Sequence, residues 1–471
     1  MERITCDICI IGAGSGGLSV AAGAAQMGAS VVLIEGHKMG GDCLNYGCVP
    51  SKALIAAGKH AHAMTTGAEF GITPTEPHVN YAAAKDHVAS AIATIEPHDS
   101  QERFEGFGIR VLRDFAEFTS PTEVQAGDTV VTARRFVIAT GSGPFVPPIP
   151  GLAEVPYYTN ETIFALREQP EHLIIIGGGP IGLEMAQAHR RLGSRVTVIE
   201  AQKAMGKDDP EMAAILLDNL RAEGIDIREE TAAEKVSGHE GAVTVTTPSG
   251  DVTGTHVLVA VGRKTNVEKL GLDKADVKFS PRGVDVDDRL RSSNRRVYAI
   301  GDAAGGLQFT HVAGYHAGVV IRSLLFSLPA KVRTDHIPWV SYCDPELAQV
   351  GLTEAQARKT HGDKLEVVRF AYDQNDRAVA EGKTTGLIKV MIVKGKPVGA
   401  SIVGAQAGEL IGLWALVIAN KLKMSAVANM VAPYPTLGEI SKRAAGAYYS
   451  PRLFESDTVK RVVRFVQRVL P

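Results

Sequence analysis

The residues best suited to do chemistry in this sequence are its cysteines. Five occur in 471 residues, and two pairs are close: Cys43 with Cys48, and Cys6 with Cys9. So few cysteines in so long a chain do not make a disulfide scaffold, and in a reducing compartment a close pair points to catalysis. Cys6 and Cys9 lie in an apolar strand, CDICII, where residues three apart are expected on opposite faces of the sheet and cannot readily close a disulfide. They read as small apolar residues of a core. Cys343, alone in SYCDPE, reads as structural. Cys43 and Cys48 stand in a different setting, Gly40-Gly41-Asp42-Cys43-Leu44-Asn45-Tyr46-Gly47-Cys48-Val49-Pro50-Ser51-Lys52, ahead of a helical run that starts near Pro50.

The elements that must position such chemistry follow from hydrophobic pattern. Thr5 to Glu35 run strand, turn, helix, strand: CDICII, then Gly12-Ala13-Gly14-Ser15-Gly16-Gly17, a helical run through Met27, then SVVLIE. Gly12 allows the tight turn, Gly14 lets backbone approach a pyrophosphate, and Gly17 lets helix and strand pack closely, with the helix N-terminus facing the phosphates. Glu35, 23 residues after Gly12, is placed to accept hydrogen bonds from a ribose diol. The arrangement recurs at LIIIGGGPIG, with Gly177, Gly179 and Gly182, and closes on RVTVIE at Glu200, again 23 residues past its first glycine. A single match of this kind is often only a glycine-rich turn, whereas two full units predict two bound dinucleotides. A carboxylate at Glu200 accepts from a free 2′-hydroxyl and repels a 2′-phosphate, which favours NAD over NADP unless Arg195 or Lys203 handles a phosphate.

The segment carrying Cys43 and Cys48, closed by Pro50-Ser51-Lys52, resembles the active-site signature of the pyridine nucleotide-disulfide oxidoreductases, the family of dihydrolipoamide dehydrogenase, glutathione reductase and mercuric reductase. The resemblance covers essentially the whole chain. It implies an α/β fold of two Rossmann-like dinucleotide-binding domains, one for FAD and one for NAD, with an α+β C-terminal dimerisation domain. It also implies a redox-active disulfide between Cys43 and Cys48, with Cys43 open to substrate and Cys48 against the flavin. Lys52, four residues past Cys48, would share its helical face and favour negative charge near the flavin; the family pairs this lysine with a glutamate after the second glycine motif, here Glu184. FVIATG and VLVAVGRKTN resemble the strands that close the two nucleotide units, which adds Thr140, Gly141, Gly262 and Arg263, together with Gly41, to the expected cofactor contacts. Val297-Tyr298-Ala299-Ile300-Gly301-Asp302 resembles the family's second FAD motif, with Gly301 in the turn and Asp302 accepting from the ribityl chain. This order implies an FAD domain at 1–150 and 271–335, an NAD(P) domain at 151–270, and a dimerisation domain at 336–471.

In relatives the partner subunit supplies His-Pro-Thr and then a glutamate, and the imidazole shuttles protons. The matching stretch here is Tyr434-Pro435-Thr436-Leu437-Gly438-Glu439. A phenol titrates near about 10, so Tyr434 is a poor base for a dithiol at pH 7, and Glu439 loses the ring it would orient. Tyrosine at this place resembles mercuric reductases, yet those end in a cysteine pair, and no cysteine follows Cys343.

The expected function is therefore an NAD(P)H-dependent flavoprotein that passes electrons through FAD and Cys43-Cys48 to a small-molecule or protein-bound disulfide, as a homodimer with an active site shared across subunits. Reduction of a metal ion or another non-disulfide acceptor, and a flavoprotein redox sensor, stand as alternatives. No resident metal is expected. Lys plus Arg total 50 against 52 for Asp plus Glu, a formal charge of -2 that gives no global attraction for nucleic acid. Met1-Glu2-Arg3 leads straight into a strand, and apolar stretches break before the roughly 18 residues of a membrane span, so a cytoplasmic protein is expected. The tail, Asp457 to Pro471, puts valines on one helical face and Lys460, Arg461, Arg464 and Arg468 away from it. Packing against the protein's own dimer is expected ahead of membrane contact.

Overall fold

The computed structural model describes residues 1–470 and shows two compact units. The first comprises 1–66, 74–201 and 230–332; the second comprises 67–73, 202–229 and the chain from Arg333 onward.

The first unit opens with β1 (Glu2–Ile11), α1 (Ser15–Gln26), β2 (Val31–Ile34), α2 (Gly41–Asn45) and α3 (Cys48–Ala63). Four strands follow: β3 (Arg110–Leu112), β4 (Ala116–Ser120), β5 (Glu123–Ala126) and β6 (Thr129–Ile138). Next come β7 (His172–Ile176), α4 (Pro180–Arg191), β8 (Arg195–Ile199), β9 (His256–Val259), β10 (Val297–Ala299) and α5 (Thr310–Phe326). The large sheet has the order β3-β2-β1-β6-β5-β4, with β10 also paired to β6. Its β1, β2, β3, β6 and β10 pairings are parallel, while β4 and β5 are antiparallel. β1 and β2 are apolar runs because both faces of a parallel sheet are covered. Ile8 and Ile10 enter a core with Leu18, Ala21 and Val320 of the flanking helices, and Cys9 and Ile11 enter the opposite one with Val131 and Phe136. The second glycine motif builds a like arrangement, with β7 between β8 and β9, all parallel, and Ile174, Ile199 and Val257 in its core.

One expectation fails here. Cys6 and Cys9 do not face opposite sides of the sheet; both belong to the core that holds Val131 and Phe136. The backbone N–H groups of Asp7 and Ile8 both donate to the Ser30 carbonyl, each at 3.1 Å, which marks where the alternation changes. The register with β6 runs on unbroken, Cys6 opposite Ala133 and Cys9 opposite Phe136, and Ala133 and Phe136 lie in that same core, so both strands change face together between these positions. Both cysteines are buried and free.

The second unit is built on an antiparallel sheet of β11 (Pro338–Ser341), β12 (Glu346–Gly351), β13 (Leu365–Ala371), β14 (Leu387–Val393) and β15 (Lys396–Gly404), in the order β11-β12-β15-β14-β13. It ends in the helices α6 (Ala407–Ala419), α7 (Glu439–Phe454) and α8 (Asp457–Val469). Trp414 of α6 is fully buried and donates from Nε1 to Ser441 Oγ of α7 at 3.1 Å. Residues 202–229 are tied to this sheet by Lys389, whose Nζ lies 2.7 Å from Asp209 Oδ1 and 2.6 Å from Glu211 Oε2. Among the described residues no helix is long and apolar enough to cross a membrane.

Candidate active site

The two glycine motifs solve the same steric problem in the same way. Gly12 has φ +103° and Gly177 φ +116°, and a Cβ on either would sit 2.4 Å from the carbonyl oxygen of Ala139 or Ala260, respectively. Gly17 and Gly182 pack so closely on the turn that a Cβ would lie 1.9 Å from Gly12 O and 2.0 Å from Gly177 O. The middle glycines differ, because that backbone is open: a Cβ on Gly179 would meet nothing within 4 Å, and one on Gly14 only Gly41 Cα at 3.8 Å. This is the open backbone that a pyrophosphate needs at a helix N-terminus. At the ends of β2 and β8, Glu35 Oε2 accepts from the Ala13 N–H at 2.6 Å and Glu200 Oε2 from the Gly178 N–H at 2.7 Å. Both carboxylates are thereby held beside their glycine turns.

Asp302 lies just past the end of β10, in a short turn of helix that starts at Gly301. It accepts a hydrogen bond from Ser142, and burial raises its carboxyl above the usual range, against the lowering effects of that bond and of Arg263. Arg263, after Gly262, donates from Nε to Ser142 Oγ at 2.7 Å and lies 3.1 Å from Asp42 Oδ2. Asp42 also accepts from Asn160 Nδ2 at 3.1 Å. Thr140 and Gly141 bond the Asn266 backbone, so the closing strands are stitched together where the two nucleotide units meet. The residues present fit two dinucleotides: open glycine backbones, helix N-termini and strand-end carboxylates recur at both places.

Cys43 lies in α2 and is half-buried, and Cys48 is the first residue of α3 and is exposed. The Cys43 thiol hydrogen-bonds Cys48, and Thr310 Oγ1 lies 3.3 Å from Cys48 Sγ. Because α3 is already helical at Cys48, Lys52 falls one turn along the same face. Its Nζ meets the buried Glu184 Oε2 at 2.7 Å. The bond from Cys43, then Thr310, then the Lys52 charge lower the Cys48 thiol to about 6, outweighing burial. Cys43 moves the opposite way, raised by its bond to Cys48 and by burial. The two thiols titrate as a pair that shares one proton, and Thr310 and Lys52 favour the thiolate on Cys48.

Ser15 and Thr310 were not legible as site residues. Ser15 hydrogen-bonds Cys43. Ser15, Cys48 and Thr310 are the first residues of α1, α3 and α5, so three helix N-termini converge on the pair, where partial positive charge favours thiolate. The one sequence signal for Thr310 is its place eight residues after Asp302, ahead of an apolar helical run.

Tyr434 and Glu439 belong to the second unit. The Tyr434 hydroxyl donates to Asp376 Oδ2 at 2.7 Å, and that bond raises the phenol above its ordinary range. Glu439 opens α7 and pairs with Arg443 one turn later, at 3.0 Å.

Residues 6–317 match the family described as pyridine nucleotide-disulphide oxidoreductase, and 337–445 match its dimerisation domain, which supports a homodimer. The chain is 34% identical over 467 residues to the mercuric reductase of Streptomyces lividans, a match covering 96% of this chain and 97% of that protein. It is 34% identical to the mercuric reductase of Shigella flexneri, over 94% of this chain and 80% of the relative. Among solved structures, the Cu(II) complex of the HOCl-induced flavoprotein disulfide reductase RclA from Escherichia coli matches with a TM-score of 0.84 and 27% identity, over 93% of this chain and 99% of that one. Taken with the paired nucleotide cradles, these matches show that the chain belongs to the pyridine nucleotide-disulphide oxidoreductase family, as a flavoenzyme that uses FAD and NAD(P)H.

Proposed function

We propose that the chain passes two electrons from NADH to an acceptor engaged at Cys43, with Cys48 as the thiolate that closes the cycle. The observation that carries this reading is the convergence of Cys43, Thr310 and Lys52 on Cys48. FAD, when bound, supplies the two-electron link between the nicotinamide and the disulfide. Gly12, Gly14, Gly17, Glu35, Gly41, Thr140, Gly141, Gly301 and Asp302 would hold it, with Arg263 bracing Asp302 through Ser142. Gly177, Gly179, Gly182, Glu200 and Gly262 would hold the nicotinamide nucleotide, and Glu200 favours the form without a 2′-phosphate. In this reading the FAD domain takes 1–150 and 271–335, the NAD domain 151–270, and the dimerisation domain 336–471. A reducing compartment such as the cytoplasm suits a dithiol of this kind.

With a disulfide substrate, Cys43 gives up its proton as its sulfur attacks one substrate sulfur, forming a mixed disulfide, and that proton leaves on the first departing thiol. The Cys48 thiolate then attacks the Cys43 sulfur, which re-forms the Cys43–Cys48 bond and releases the second. The enzyme pair supplies one proton to the two departing thiols and solvent supplies the other. Lys52, held by Glu184, keeps positive charge beside the thiolate throughout. The homodimer shares each site, completed by the partner subunit's Tyr434 and the partner subunit's Glu439.

Tyr434 favours a second reading. Its hydroxyl is committed to Asp376 and its phenol is raised, so it serves as a donor rather than a base. A thiophilic metal ion taken directly by thiolates needs no imidazole shuttle, and the relatives cited above include mercuric reductases. Anaerobic NADH oxidation with lipoamide or with Hg(II), in wild type and Tyr434→His, separates the two readings. Brisk lipoamide turnover by wild type establishes the disulfide acceptor. Lipoamide turnover only after Tyr434→His, with Hg(II) turnover in wild type, establishes the metal; no turnover with either would overturn both.

A further inference from the structure

The helix that ends the chain, α8, is segregated to a degree that nothing in the redox chemistry requires. At about 100° per residue, Val459, Val462, Val463, Phe465, Val466 and Val469 fall within an arc of roughly 160°. Lys460, Arg461, Arg464 and Arg468 fall within roughly 100° on the other side. Asp457, in the first turn, is the acidic residue of the helix. No residue of α8 is buried; Phe465 is 65% exposed and Val469 60%, while Val459 and Val466 are half-covered. Leu453 and Phe454, which end α7, are exposed as well.

The rest of the chain leaves this apolar face open, and the match to the dimerisation domain stops at residue 445, before α8 begins at Asp457. Length settles the geometry of any lipid contact. Thirteen residues rise about 20 Å, short of the roughly 30 Å hydrocarbon core, so α8 can lie in a bilayer surface but not span it. Charge selects the occupant. A second copy offering the same face across a twofold axis would bring two basic stripes together, four basic residues against one acidic on each helix. An anionic surface instead draws the basic stripe to its headgroups while the valines and Phe465 reach the acyl boundary. We propose that α8 docks this flavoenzyme on an anionic lipid surface, as a peripheral helix in the plane of the membrane.

Flotation of the full-length holoenzyme with vesicles tests this. Vesicles of phosphatidylcholine with about 30 mol% phosphatidylglycerol are expected to bind it about tenfold better than phosphatidylcholine alone. Salt near 1 M, where the Debye length is about 3 Å, is expected to remove that preference. Arg461→Glu with Arg464→Glu should abolish the preference, and Phe465→Glu with Val469→Glu should abolish binding, with flavin content and NADH oxidation unchanged in both. Equal, negligible binding of wild type to both vesicles overturns the proposal. So does a Phe465→Glu/Val469→Glu protein that sediments as a monomer, since the face would then belong to a second copy.

Discussion

The first unit contains two cysteine pairs of similar spacing, and only one of them contains a thiol that its surroundings lower. Cys6 and Cys9 lie among Val131, Phe136 and other apolar side chains, where burial raises both thiols, Cys6 to about 11. Cys48 has the N-termini of α3 and α5, the Thr310 hydroxyl and the Lys52 ammonium around it, and is lowered to about 6. A thiolate needs donors and positive charge, and an apolar core supplies neither. Closeness of two cysteines therefore says little about redox use. Their position relative to helix starts says much more.

The largest effect that could break this comparison is on turnover. Cys43→Ser and Cys48→Ser are each expected to lower NADH-dependent disulfide reduction by at least about 1,000-fold, whereas Cys6→Ala and Cys9→Ala should stay within about twofold of wild type. Substantial steady-state turnover by either serine variant would end the dithiol mechanism. Next in size is reactivity. A thiol at about 6 is roughly 90% ionised at pH 7, against a few per cent for an ordinary thiol. In the flavin-free protein iodoacetamide should thus label Cys48 on the order of 30-fold faster than an ordinary exposed thiol, and Cys6 and Cys9 not at all while the chain is folded. The sign of the pH profile follows: a depressed pKa keeps the thiolate as pH falls, so labelling should persist at pH 7 and drop through about pH 6. A midpoint near 9 would show that the cluster does not stabilise the thiolate.

The sequence disclosed what is local. Gly12, Gly14, Gly17 and Glu35, and their counterparts Gly177, Gly179, Gly182 and Glu200, can be read because strand, turn, helix and strand are contiguous, and sterics at Gly12, Gly17, Gly177 and Gly182 admit only glycine. Lys52 was legible because helix periodicity relates it to Cys48, and Glu184 only through family resemblance, since 132 residues separate the ion pair. Thr310 stands 262 residues from Cys48, and no local pattern marks a threonine for a distant sulfur. The change of face at Asp7 and Ile8 was equally hidden, because it goes with one carbonyl of a neighbouring segment, Ser30, accepting two N–H groups. The attachment of residues 202–229 to the second unit rests on the buried Lys389, 180 positions from Asp209.

Thr310→Val sharpens the comparison by taking one donor away. A hydrogen bond to a charged group contributes about 1.5–3 kcal/mol, which is about one to two pKa units. The alkylation midpoint of Cys48 is therefore expected to rise from about 6 toward 7 or 8, with Cys43 and Lys52 still in place. An unmoved midpoint would assign the lowering to Cys43, Lys52 and the helix N-termini, without Thr310.

The smallest effect on activity should come from Cys9→Ser, and it tests the other half of the contrast. Cys9 is fully buried among apolar side chains, so serine places a hydroxyl where water cannot reach it. Without a partner such a group costs about 1–3 kcal/mol, and denaturant unfolding should show a loss of that order while kcat stays within about twofold. Cys43→Ser should behave in the reverse manner, losing turnover with stability changed by less than about 0.5 kcal/mol, because its site is half-buried and already polar. If Cys9→Ser lowered kcat as far as it lowered stability, the core pair would be coupled to the redox pair, and the separation drawn between them would be wrong.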